Sequence, residues 1–337
     1  MDIEQLHFDD EGSIKECHLV HLAAHHADDP EGSSWMSAAP FRGWLSVGWE
    51  GDPREVWLIR GTDGTVTGWY KLELPDRENV HRASLDLVVH PAHRLRGLGN
   101  ALLRHAVARA VAHERTRVSG SAWDGSAGEA FARRAGAYPT LADIKRVQEL
   151  AELPADRLAE LHATAERAAA GYTLTSWTGL VPERFLDGVA AVITALDDAP
   201  RTAGSERREW NAERVRADVN GIFPHLGLRQ RSIAALHDAS GAMAALTQVW
   251  IDPAIPDWGF QGITAVTREH RGHRLGLLTK AAMLDVLMRS EPQINRLETW
   301  NAAANAHMIA VNEALGYRVY GPPNTQWELD VSAAGGN

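Results

Sequence analysis

The sequence predicts an α+β protein of two related halves, each a mixed, mostly antiparallel sheet flanked by helices. Three observations predict it. At 337 residues the chain exceeds what one ordinary core requires, so two domains are expected. Internal features recur at a fixed separation. A strand-like run, a basic turn and a helix-like run also follow one another twice.

Arg94 and Arg271 lie 177 positions apart, and the same offset carries Gly64 to Gly241, Gly99 to Gly276 and Trp123 to Trp300. Gly136 meets Gly316 at an offset of 180. Matches kept in order over such a length mean a domain copied once, not a short solenoid repeat. The expected division is a first domain over 1–150, a connecting helix over 151–170 and a second domain over 171–337.

Taken in order, Ile3–Phe8 reads as a strand. Ser13-Ile14-Lys15-Glu16 has the spacing of a capping box, starting a helix that runs to about Asp28 and stops at Pro30. His18, His21 and His25 share one face of that helix. Without a completing cysteine or carboxylate pattern they read as a polar face rather than a metal site. Residues 31–54 read as a long loop with one short helix. Glu55–Arg60 and Val66–Leu74 form a hairpin about Asp63-Gly64. Ala83–Val89 is a strand and Asn100–Ala112 a helix with Leu102, Leu103, Ala106, Val107, Ala110 and Val111 on its core face. Val118–Trp123 is a strand, Ala127–Ala135 a helix ended by Gly136. Residues 142–150 close the first sheet as a strand, with helix the alternative, and Pro154–Ala169 connects. The second half repeats the plan. It has a strand Tyr172–Trp177, a helix Pro182–Leu196, an N-cap at Asn211, a hairpin Ser232–Leu236 with Ala242–Ile251, and a strand Gly259–Val266. A helix Leu277–Met288, a strand Arg296–Trp300, a helix Ala306–Leu315 and a last strand Gln326–Val331 complete it. Tryptophans gather early, at Trp35, Trp44, Trp49, Trp57 and Trp69, where core packing is the usual role.

Composition narrows the function classes. At 45% hydrophobic and 23% charged residues the chain has a globular composition. No apolar run approaches the roughly 20 residues of a membrane span, and the acidic start Met1-Asp2-Ile3-Glu4 has no signal pattern. Cys17 stands alone, so a reducing cytoplasm is the expected compartment. A net charge of −10 disfavours nucleic acid as a partner. Basic residues gather instead in the two turns, which marks a local site for a small anion.

The turns read His93-Arg94-Leu95-Arg96-Gly97-Leu98-Gly99 and His270-Arg271-Gly272-His273-Arg274-Leu275-Gly276. Backbone N–H groups and a helix N-terminus converge there, as a phosphate cradle needs. Neither turn has the Lys-Ser/Thr of a nucleotide P-loop. The first has Leu102 where a dinucleotide fingerprint wants its third glycine, and hairpins replace the expected parallel unit. What is left is Arg/Gln-x-x-Gly-x-Gly/Ala between an antiparallel strand and a helix, matched by Arg94, Gly97 and Gly99.

With these residues, and with Thr299-Trp300-Asn301, Asn305, Met308 and Asn312-Glu313-Ala314-Leu315-Gly316-Tyr317, the sequence resembles the GNAT superfamily of N-acetyltransferases over nearly its whole length, twice. It is most similar to the tandem two-domain GNAT proteins of actinobacteria. The resemblance implies two tandem GNAT-like domains and acetyl-CoA as the cofactor, with a small-molecule amine as acceptor. Arg94, Leu95, Arg96, Gly97, Leu98, Gly99 and Asn100 would cradle the coenzyme A pyrophosphate. So would Arg271, Gly272, His273, Arg274, Leu275 and Gly276. The backbones of Val88–Val89 and Ala265–Val266 would pair with the pantetheine amides, and Asn301 and Asn305 would lie along the pantetheine arm. The tyrosine that many members place four residues before the helix-ending glycine is replaced by Ala132 and by Asn312. Asp86 and Glu298, each on a central strand, are the candidate bases for the incoming ammonium. The Asn301/Asn305 pair makes the C-terminal half the expected catalytic one. A non-catalytic acyl-CoA sensor is the competing class.

Overall fold

The computed structural model describes residues 2–29, 36–198 and 201–332. In chain order it has β1 (Ile3–Gln5), α1 (Glu11–Asp28), α2 (Ala38–Val47), β2 (Arg54–Arg60), β3 (Val66–Glu73), β4 (Arg82–Val89), α3 (Leu98–Ala112), β5 (Arg117–Trp123), α4 (Ala127–Arg134) and β6 (Tyr138–Glu149). Then come α5 (Ala155–Ala168), β7 (Tyr172–Thr178), α6 (Leu186–Ala195) and α7 (Ala212–Arg214), which continues as a π turn over Val215–Asn220. The chain closes with β8 (Arg229–His237), β9 (Met243–Ile251), β10 (Trp258–Val266), α8 (Leu275–Ser290), β11 (Arg296–Ala302), α9 (Ala306–Ala314), β12 (Arg318–Val319) and β13 (Asn324–Asp330).

The chain forms two compact units. One comprises Met1–Asp143, Thr202–Glu206 and Gly321–Asn337, the other Ile144–Arg201 and Arg207–Tyr320. In the first, the strands run β1–β2–β3–β4–β5–β13 and then the start of β6, up to Asp143. All pairings there are antiparallel except β4 with β5. Tyr70, Leu72, Leu85 and Val118 of this sheet pack with Leu102, Ala106 and Ala110 of α3. In the second unit β11–β10–β9–β8–β7 repeats the order, with β10 and β11 the parallel pair. Its core joins Leu275, Leu278, Ala281 and Leu284 of α8 to Ala245 and Val249 of β9 and to Leu158 and Leu161 of α5.

Several local expectations change. The cap of α1 is Asp10, whose carboxylate accepts from the Ser13 N–H at 3.0 Å and from its hydroxyl at 2.6 Å. The capping-box serine therefore serves as donor rather than as cap. The long loop expected over 31–54 contains the three-turn helix α2, which buries Phe41, Trp44 and Leu45. Trp35 and Pro30 lie outside the described residues. Residues 142–149 are strand, as part of the twelve-residue β6. Asn211 caps α7 through Arg214 N–H at 2.8 Å. The last strand does not complete the second sheet. β13 pairs along its whole length with β5, from Asn324↔Trp123 to Asp330↔Arg117, and also with the start of β6.

Candidate coenzyme site

Each unit opens its sheet at the same place. β4 and β5 pair in parallel only from Arg82↔Arg117 to Ser84↔Ser119, and β10 and β11 only from Trp258↔Arg296 to Phe260↔Glu298. Beyond those residues the strands splay, leaving one edge of β4 and one of β10 unpaired within its unit. Alternation along an antiparallel ladder says which groups face the gap. His90 N–H bonds Thr67 O of β3 at 2.9 Å, so Val88 turns its N–H and C=O the same way and Val89 turns both toward the opening. Thr267 N–H bonds Ala244 O at 2.9 Å, which likewise leaves Val266 facing the gap. Of the two strand pairs expected to meet pantetheine, Val89 and Val266 offer donors, while Val88 and Ala265 spend theirs inside the sheets.

The turn that follows has one backbone shape in both units, reached with different residues. Arg94 and Arg271 are extended, with ψ of 163° and 158°. Two left-handed residues follow in each: Leu95 (φ 62°) and Gly97 (φ 84°) in the first, Gly272 (φ 89°) and Arg274 (φ 53°) in the second. A left-handed residue other than glycine costs about 1–2 kcal/mol. Each turn therefore has one relaxed and one strained position, in opposite order. Gly97 and Arg274 are the N-caps of α3 and α8, and neither offers a side-chain cap. The first-turn N–H groups of both helices are thus left for an external acceptor, and an anion at the end of the dipole fits.

In the first unit these parts enclose a cavity of about 410 Å³. Its wall includes Val88 and Val89, Arg94, Leu95, Gly97, Gly99 and Asn100 of the expected set. Arg96, Leu98 and Asp86 are not in that wall. The Arg94 guanidinium is committed to Asp28, at the end of α1, through two bonds of 2.7 Å each, and its Nε donates to Val89 O at 3.3 Å. It ties the turn to α1, and the backbone N–H groups are left as the candidate anion cradle. Arg271 behaves in the same way, sharing Asp198 with Arg268 at 2.8 and 2.7 Å.

Sequence reasoning missed much of the remaining wall, including His21 and His25 from α1, Trp123 at the end of β5, Ser126 beyond it, Phe131 and Arg134 on α4, and Asn324 at the start of β13. Trp123 stood out only as one member of the repeat. Asn324, 201 residues downstream of its ladder partner Trp123, left no local signal. His21 packs against Phe41, Trp44 and Trp69 at ring distances of 5.1, 5.9 and 6.3 Å. Burial, aided by His25 and His18, lowers its pKa to about 3, so it is a neutral imidazole. Among the described residues no group of three His, Cys, Asp or Glu side chains is placed to hold a metal.

The two candidate bases are engaged. Asp86 faces Lys71 across the β3–β4 ladder, with Oδ2 3.2 Å from Nζ, and the ammonium lies 3.7 Å from the Trp44 ring centre. Asp86 therefore sits on the α2 side of the sheet. Glu298 is buried and accepts from the Trp300 indole at 2.6 Å. Asn305 caps α9, accepting from Met308 N–H at 3.3 Å, and Asn301 accepts from Asn312 Nδ2 at 2.7 Å. The His273 ring lies tilted against Tyr172, with ring centres 5.3 Å apart. Leu275 and Gly276 are buried at the head of α8.

A splayed parallel pair, a capless helix and a glycine turn between them define a candidate anion site on an α+β fold, and comparison with known proteins shows what that fold is similar to. Residues 19–135 match the Acetyltransferase (GNAT) family. The chain thus carries a domain of that family, and as a whole it has the tandem GNAT fold. It is similar to a tandem GNAT protein from the clavulanic acid biosynthesis pathway, solved without acetyl-CoA, at 27% identity and a TM-score of 0.81, covering 98% of both chains. A GCN5-related N-acetyltransferase from Sphaerobacter thermophilus shares the fold, with TM-score 0.67 and 17% identity over 98% of this chain and 95% of that one. A 65-residue stretch is 42% identical to the mycothiol acetyltransferase of Stackebrandtia nassauensis. It spans 19% of this chain and 20% of that relative, so the match covers about a fifth of the relative's length.

Proposed function

We propose that the protein is an acetyl-CoA-dependent N-acetyltransferase that acetylates a small primary amine by direct attack in a ternary complex. Both halves take acetyl-CoA, and the first holds it in its cavity. The observation carrying this reading is the meeting, on that one cavity, of the capless N-terminus of α3 and the open edge at Val89. One element suits a pyrophosphate and the other an extended chain of amides. The helix dipole contributes about 0.3–1 kcal/mol to an anion at this point, so the backbone donors supply most of the hold on the phosphates.

The chemistry asks little covalent work of the protein. The neutral amine attacks the thioester carbonyl, an N–H on the open strand edge stabilises the oxyanion, and the C–S bond breaks as coenzyme A leaves. The ammonium proton must first go to a base. Asp86 suits that role in the first unit, because its strand is the one that opens beside the cavity. The C-terminal half remains a second reading for the site of chemistry, favoured by Asn301 and its buried partners, with Glu298 as base. A non-catalytic acyl-CoA sensor is the competing class, since Ala132 and Asn312 stand where the family's tyrosine acid is common.

Thiol release from acetyl-CoA with a panel of amines separates these readings. Turnover lost in Asp86→Asn and kept in Glu298→Gln places chemistry in the first unit, and the reverse places it in the second. Acetyl-CoA that raises the melting temperature while no amine is acetylated favours the sensor.

A further inference from the structure

The second unit holds a buried polar chain for which the first has no equivalent. Lys280, on the core face of α8, is 2% exposed. Its Nζ donates to Asn312 Oδ1 at 2.7 Å, and Asn312 Nδ2 donates to Asn301 Oδ1 at 2.7 Å. Asn312 is fully buried, and Asn301 is half-exposed on β11 beyond the point where that strand leaves β10. At the repeat offsets the first unit has Leu103, Ala132 and Asp124 instead. Leu103 packs into the core around α3, and Asp124 accepts from Thr325 at 2.7 Å.

A lysine in such a place is costly. Burial lowers its pKa to about 7, and its ammonium lies 4.7 Å from the centre of the Tyr317 ring. Its use lies in direction. A carboxamide donates from one end and accepts at the other, and its two orientations differ little in shape. A lysine ammonium placed at one end can only donate. In that form it turns Asn312 oxygen-inward and nitrogen-outward, and Asn312 imposes the same sense on Asn301. The Asn301 Nδ2 edge is left as a fixed donor beside the splayed strands. Without the lysine both amides can rotate together, and Asn301 then offers an oxygen.

We infer that Lys280 is a positioning residue which, through Asn312, fixes the Asn301 amide as a hydrogen-bond donor to a carbonyl oxygen of acyl-coenzyme A, in the thioester or the adjoining pantetheine amide. This rests on the reading that the second half takes acetyl-CoA. It gives that half a thioester neighbourhood oriented by carboxamides where the tyrosine is absent.

The test is a double-mutant cycle on acetyl-CoA binding in the full chain, with the first site disabled by Gly97→Asp. A Cβ at Gly97 meets nothing within 4 Å, and aspartate tolerates the left-handed conformation while placing a like charge in the phosphate cradle. On that background Lys280→Met and Asn301→Ala should each weaken binding about tenfold, the loss of roughly one hydrogen bond. The double variant should be no weaker than Asn301→Ala alone. Additive losses, or unchanged binding in a folded Lys280→Met protein, overturn the relay. If the Gly97→Asp protein with Lys280 and Asn301 intact binds no acetyl-CoA, the second site itself fails, and the relay with it. Circular dichroism and melting of each variant separate loss of fold from loss of orientation. Lys280→Gln, which keeps a donor at shorter reach, should recover part of the affinity.

Discussion

The two units build the same turn from opposite residues. In the first, glycine occupies the cap of the helix at Gly97 and the strain falls on Leu95, which is 97% exposed. In the second, Gly272 takes the relaxed position and the strain falls on Arg274 at the cap. The first turn keeps a bare cradle at the point nearest a phosphate. The second puts a flexible cation there. Further along the roles reverse, since the first unit has an apolar Leu103 and Ala132 where the second has the polar chain from Lys280 to Asn301. On the proposed reading, the phosphate end and the thioester end of one duplicated site have diverged separately.

The largest expected effect that sharpens this comparison is kinetic. Loss of a general base typically lowers the rate by about 10²–10⁴, so Asp86→Asn should do so in a thiol-release assay while Glu298→Gln leaves turnover within a few fold. An equal loss in both variants would mean that both halves catalyse.

A smaller effect is thermodynamic and confined to the second unit. The folded pKa of Lys280, about 7, lies below its ordinary value of 10.5. Between those pH values the unfolded chain binds a proton that the native protein has released. Stability therefore rises with pH across that window and falls as pH drops toward 7. The melting temperature of the parent should rise from pH 7.5 to 9.5 relative to that of Lys280→Met. Parallel pH curves would contradict a lysine whose pKa is lowered by burial.

The smallest effect concerns the turns themselves. Leu95→Gly and Arg274→Gly each remove a left-handed side chain. Each should raise the melting temperature by a few degrees, corresponding to about 0.5–1 kcal/mol after the unfolded-state entropy of glycine is counted. Gly97→Ala and Gly272→Ala should lower it by a similar amount. A Leu95→Gly protein that melts lower would show that Leu95 makes a contact worth more than its strain.

How legible the site was follows from how local each part is. The strand, turn and helix around Arg94 lie within about thirty consecutive residues, so glycine spacing and helical periodicity reveal them. The arginines suggested phosphate ligands, yet Asp28 and Asp198 hold them. That pairing depends on where a helix ends 66 residues away in one case and 73 in the other. Asn305 has the composition of a ligand and the position of a helix cap, two uses that sequence alone does not separate. The far wall of the cavity joins α1, α4 and the start of β13, and no pattern in β13 announces its pairing with β5. Lys280 was hidden for a different reason. In a helix otherwise rich in Leu, Ala and Met, one lysine reads as the solvent side, and only the packing of α8 against β9 and α5 shows it to be inside.

The central claim is that the first unit's cavity is the principal acetyl-CoA site, and a calorimetric titration tests it most directly. With acetyl-CoA the parent protein should bind close to two equivalents of unequal affinity. Gly97→Asp should weaken the tighter one by at least about 100-fold, or ~2.7 kcal/mol, and leave the weaker unchanged. A single equivalent whose affinity is the same in the parent and in Gly97→Asp would contradict the account and place the coenzyme in the second unit alone.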